Sequence, residues 1–189
     1  PNKGPKAIPG TYKVKLTVNG NSKEQEFKIV KDPRLPNTQS DYEDQFNFLI
    51  AVRDQVSKAN EAIIKIRSIQ KDLNYLKDKT KDNVDIQQLI KDYEADLSVI
   101  ENNIHMTKNQ SRQDPLNYGI RINNRLAFLL ADSQRGDFAP TQQAKQFFKE
   151  IVSELNVEIN SLNKLIDKQT GTVNSKVEEE DIKMISTEQ

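Results

Sequence analysis

The sequence predicts an α+β fold that is mainly α: an N-terminal β-hairpin followed by an elongated antiparallel four-helix bundle. Residues 11 to 18 alternate, with Tyr12, Val14, Leu16 and Val18 on one face and Lys13, Lys15 and Thr17 on the other, the period of a half-buried strand. From Ser40 to about Thr80 the apolar residues instead fall in steps of three and four, at Leu49, Val52, Val56, Ala59, Ile63, Ile66, Ile69, Leu73 and Leu76. That is one stripe of a long amphipathic helix. Similar stripes recur further along the chain, and at 1.5 Å per residue the first helix would run roughly 60 Å, so the others are expected to lie along it.

The elements follow in order. Residues 1 to 10 hold three prolines and two glycines and read as an extended entry segment. Asn19-Gly20 suits a two-residue type I′ turn, and Ser22 to Val30 returns with Phe27 and Ile29 apolar against Glu24 and Glu26. A lone hairpin is marginal in water, so either preceding strands complete a sandwich, the more natural reading, or the hairpin leans on the helices. Asp32-Pro33-Arg34 and Pro36 mark a junction, since proline does not sit in a helix interior. Ser40, with Glu43 three residues on, has capping-box spacing.

A second helix is expected from about Val84 to Met106 on Ile86, Ile90, Tyr93, Leu97, Ile100 and Ile104, hairpinned against the first. Asp114-Pro115 reads as an N-cap carboxylate followed by proline at the first helical position. It opens a third helix carrying Leu116, Ile120, Ile122, Leu126, Leu129 and Leu130, with Gly136 as its end. Thr141 caps a fourth, lined by Phe148, Ile151, Leu155, Leu162 and Leu165 and ended at Gly171. The expected division is 1–31 hairpin, remnant of an immunoglobulin-like domain, 32–39 linker, 40–170 bundle and 171–189 a frayed acidic tail.

Composition narrows the partners. The 189 residues carry 28 basic and 28 acidic side chains, so no basic excess is available for nucleic acid. Cysteine is absent, which removes disulfides and thiolate chemistry. No apolar run approaches the ~18 residues of a membrane span, so no membrane insertion is expected. The chain opens PNKGPKAIPG, without an initiating Met or a leader pattern, and is expected to be a piece of a longer polypeptide.

Three segments together resemble a known family. PGTYKVKLTVNGNSKEQEFKIVKDPRL, SRQDPLNYGIRINNRLAFLLADSQRG and the helix start Ala139-Pro140-Thr141-Gln142 are similar to the C-terminal region of large secreted bacterial proteins built on a sortilin-type β-propeller, also labelled glycosyl-hydrolase-like or BNR-repeat proteins. The resemblance runs to about residue 168. It implies an extracellular, periplasmic or outer-membrane-associated protein with its propeller upstream and this region as a non-catalytic end. The Asp-box repeats behind the sialidase-like label are absent from this chain, so a glycosidase activity has no residues here to rest on.

Candidate chemistry is sparse. His105 is the one histidine and is expected at a bundle end or surface, since a metal site needs several converging ligands. Carboxylates such as Asp41, Glu43 and Asp44, or Glu94 and Asp96, fit a solvated, salt-bridged face better than an acid and base, because raised carboxylate pKa values need burial. Arg121, Asn123, Asn124 and Arg125 are the candidate interaction cluster, because two asparagines inside a helix need compensation, from a partner or from local capping and bridging. Tyr42, Phe46 and Phe48 are expected to pack against the β-module. No cofactor is expected. The reading is a structural and interaction module that meets its own upstream propeller or another envelope protein, a monomer in preference to a coiled-coil dimer. Its alternatives are an accessory region of a carbohydrate-active hydrolase and a stand-alone oligomerising coiled coil.

Overall fold

Alternation and turn chemistry make the hairpin. In the computed structural model, which describes residues 4–111 and 113–180, β1 (Gly10–Val18) pairs antiparallel with β2 (Asn21–Ile29), from Gly10 opposite Ile29 to Val18 opposite Asn21. The two residues between them, Asn19 and Gly20, take φ of 49° and 81°, both positive as a type I′ turn requires. One face carries Tyr12, Val14, Leu16 and Val18 with Phe27 across from Tyr12; the other pairs Lys13 with Glu26 and Lys15 with Glu24.

Among the described residues five helices follow: α1 (Gln39–Lys79), α2 (Val84–Ile104), α3 (Pro115–Tyr118), α4 (Ile122–Ser133) and α5 (Gln142–Glu179). Four are long and α3 is a single turn, so the chain is mainly helical with an N-terminal hairpin. The helices start where short polar side chains satisfy free backbone N–H groups. At α1 the capping box is Thr38 with Asp41, two residues before the expected Ser40 and Glu43. The Asp41 carboxylate accepts from the Thr38 N–H at 2.7 Å, and Thr38 Oγ1 accepts from the Asp41 N–H at 3.3 Å. Glu43 takes a hydrogen bond from Gln39 instead. Asn83 caps α2 at 3.1 Å and Thr141 caps α5 at 3.1 Å.

The expected third helix is broken. Gly119 sits at φ 75°, ψ 176°, a conformation only glycine adopts readily, and it separates α3 from α4. The apolar positions divide at the break: Leu116 and Ile120 are exposed, whereas Ile122, Leu126, Leu129 and Leu130 are buried. Asp114 also departs from expectation. Its carboxylate turns back to accept from the Gln110 and Ser111 N–H groups at 2.6 and 2.8 Å and makes no cap bond to α3. The Ser111 hydroxyl, then these N–H groups, hold its pKa below the usual value.

Gly171 does not end the last helix, which continues to Glu179 because Val173 and Val177 carry on the buried stripe at i, i+4 spacing. The end of the expected frayed tail, 181–189, lies outside the described residues.

The chain divides into two compact units, Pro1–Gln55 with Leu126–Phe148, and Val56–Arg125 with Lys149–Gln189. In the first, Leu49, Val52, Leu126, Leu129 and Leu130 form the core, and Phe48 meets Phe148 edge to face with ring centroids 5.5 Å apart. Phe48 therefore turns to α5, while Tyr42 and Phe46 face Ile29 and Val30 at the hairpin base. Asn37 Nδ2 donates to the Asp137 carbonyl, and Gln45 Nε2 donates to the Ser133 and Gly136 carbonyls at 3.0 and 3.3 Å.

In the second unit, α2 lies antiparallel to both its neighbours. Arg67 and Lys77 of α1 reach Glu101 and Glu94, and Tyr93, Asp96 and Asn103 reach Thr170, Gln169 and Glu158 of α5. Ile66, Ile90, Leu97, Leu155 and Leu162 are closed off from water between the three helices. Each such side chain contributes about 1.5–3 kcal/mol relative to exposure.

Candidate interaction site

The break at Gly119 changes the setting of the predicted cluster. Arg121, Asn123, Asn124 and Arg125 occupy the N-cap and first turn of α4, where asparagine satisfies free N–H groups, and not a helix interior, where it would compete with the backbone. Asn124 Oδ1 accepts from the Arg121 N–H at 3.4 Å, a side chain three residues into the helix reaching back to the cap. Asn123 Nδ2 lies 3.0 Å from His105 Nδ1. The contact ties the start of α4 to the end of α2. His105 is the C-cap of α2, extended at φ −136°, with its own N–H bonded to the Glu101 carbonyl at 2.7 Å.

Arg125 grips Glu154 of α5 with both terminal nitrogens, Nη1 to Oε1 at 3.0 Å and Nη2 to Oε2. This bidentate hydrogen bonding raises the guanidinium pKa and lowers that of the carboxyl. Arg121 and Arg125 line a hollow of about 400 Å³ with Asn103, Glu154, Val157 and Glu158. Asn123 and Asn124 do not line it. Across the hollow Asn103 Nδ2 donates to Glu158 Oε1 at 3.2 Å. Arg121 Nε and Asn123 Oδ1 are buried with no hydrogen-bond partner.

The structure thus brings the two arginines together and sends the two asparagines to local tasks. Nothing in the residue pattern marks the Glu154 and Glu158 side of the hollow, because only packing sets which turn of α5 faces α4. Carboxylates flank both arginines, so the hollow is mixed in charge and does not form a basic patch. Among the described residues no group of three His, Asp or Glu side chains has metal-site geometry, and no helix is long and apolar enough to cross a membrane.

These features define a class: a mainly helical protein with an appended β-hairpin and a polar hollow at a helix start. No known protein family, curated protein or solved structure matches the chain.

Proposed function

We propose that the chain is a non-catalytic structural and interaction module, the C-terminal part of a secreted or envelope β-propeller protein, whose hairpin joins β-structure supplied by the rest of that protein or by another envelope protein. The observation that carries this reading is the uneven hairpin. Val14, Leu16, Val18 and Phe27 are 53, 66, 55 and 45 % exposed, while the opposite face is a ladder of lysine–glutamate pairs suited to water. Exposed apolar side chains gathered on one sheet face, here set beside Asn21, Lys23 and Gln25 of the other strand, mark an interaction surface, and two strands alone are marginal. The propeller parent and the envelope location rest on the resemblance of the quoted segments.

The test is hydrogen exchange at the hairpin amides, in the chain alone and in its full-length parent. The expected result is strong additional protection from Thr11 to Ile29 in the parent, lost in a Leu16→Lys, Val18→Lys variant whose helices melt as in the wild type. Equal exchange in both settings would overturn the reading.

A further inference from the structure

Tyr42 is 8 % exposed, yet its buried hydroxyl has no hydrogen-bond partner. The Nε2 amide of Gln134 is buried and unpartnered too, and both side chains line one cavity of about 180 Å³. Native interiors leave few polar groups in this state, so two donors orphaned on the same space call for an occupant.

The rest of the lining says what kind. Ile8 and Pro9 before the hairpin, Ile29 and Val30 at its base, and Phe46 and Leu49 of α1 give the cavity an apolar body. Its walls are tied in place: Tyr12 donates to the Ile8 carbonyl at 2.7 Å, Lys31 to the Asn37 carbonyl at 2.8 Å, and Gln45 holds the 133–136 loop. Such a space is formed before anything enters, which lowers the entropic cost of binding. Both cations of the lining are engaged: Lys6 is paired with Asp137 at 3.0 Å, and Lys31 donates to the Asn37 carbonyl at 2.8 Å. Burial first, then the charges of Asp137, Asp32 and Asp41, raise the Tyr42 pKa against the opposing effect of Lys6. An anion would meet the same carboxylates.

We propose that this cavity binds a small neutral amide, whose carbonyl oxygen accepts hydrogen bonds from the Tyr42 hydroxyl and the Gln134 side-chain amide while its apolar portion packs on Ile29, Val30 and Phe46. At roughly 30 Å³ per water the space equals about six waters. It is smaller than the roughly 300–1,000 Å³ of drug-sized pockets, so the occupant has few heavy atoms. A free amide metabolite and one residue of a peptide offer the same chemistry.

The test is an NMR titration of the whole chain with N-methylacetamide, with N-acetyl-alanine-N′-methylamide and with acetate, following the Gln134 side-chain amide and the backbone amides from Tyr42 to Leu49. Saturable shifts with the amides, and at least about tenfold weaker response to acetate, are expected. A capped peptide binding about tenfold tighter than N-methylacetamide assigns the site to peptides; equal affinity assigns it to free amides. Tyr42→Phe and Gln134→Leu, each losing one hydrogen bond, should weaken binding about fivefold, with a thermal melt confirming the fold. Absence of saturable shifts means a cavity of water alone and overturns the proposal, as does acetate binding equally well or affinity untouched by Tyr42→Phe.

Discussion

Arg67 Nε donates to Glu101 Oε1 at 2.8 Å, and this bond lets a carboxylate whose side chain is only 8 % exposed sit in the seam between α1 and α2. The Arg67 side chain is 57 % exposed, so water shares its charge. Arg67→Met should therefore destabilise the protein by about 1–3 kcal/mol, the cost of leaving a buried polar group unpaired. Adding Glu101→Leu should recover most of that loss. Urea denaturation of both single variants and the double variant gives the coupling directly, and additive losses would contradict it.

Two glycines should respond in opposite directions to alanine. Gly119→Ala forces a side chain into a conformation at φ 75° and should cost about 1–3 kcal/mol. Gly171 lies within α5, and a Cβ added there meets nothing within 4 Å, so Gly171→Ala should stabilise by about 0.5–1 kcal/mol. Thermal melts of the two variants should move to opposite sides of the wild type.

Leucines separated by the helix break should differ as sharply. Leu97 is fully buried, so Leu97→Ala should cost about 2–5 kcal/mol through lost burial and the cavity left behind. Leu116, 87 % exposed on α3, should tolerate alanine within about 0.5 kcal/mol. Chemical denaturation midpoints check both.

Acid should loosen the chain at identifiable points. Asp32 is held low by the Arg34 side chain, Asp41 by the Thr38 N–H and hydroxyl, Asp114 by the Ser111 hydroxyl, and Glu154 by Arg125. Each folded-state pKa lies below its unfolded value, so the stabilisation is present above the ordinary carboxylate range and fades as pH falls through the folded values. Melting temperature should hold from pH 7 to about 5 and decline below about 4. Asp41→Asn should flatten part of that decline, and an unchanged acid profile in the variant would contradict the assignment.

How much of this was legible follows from what each signal depends on. The hairpin was readable to its turn residues, because strand alternation and Asn19-Gly20 are local chemistry. So were the α2 stripe and the Thr141 cap. The break at Gly119 was not, because the apolar spacing from Leu116 to Leu130 continues across it, and only the burial of one half reveals the division. Gly171 misled in the opposite sense: a glycine signals a stop unless packing beyond it, here Val173 and Val177, outweighs its cost. In the candidate cluster the residue types were right for polar contact. Their partners Glu154 and His105, 29 and 18 residues away, depended on tertiary packing.

Among the described residues the two-stranded sheet also leaves both outer edges open, each a row of backbone groups able to pair with another strand. Lys13 and Lys15 are the charged side chains of β1, so two molecules meeting β1 to β1 bring like charge together, whereas on β2 Glu24 and Glu26 accompany Lys23 and Lys28. Resistance to pairing of one β1 edge with another is therefore electrostatic, and raising ionic strength from 0.01 to 1 M, which shrinks the screening length from about 30 to 3 Å, weakens it.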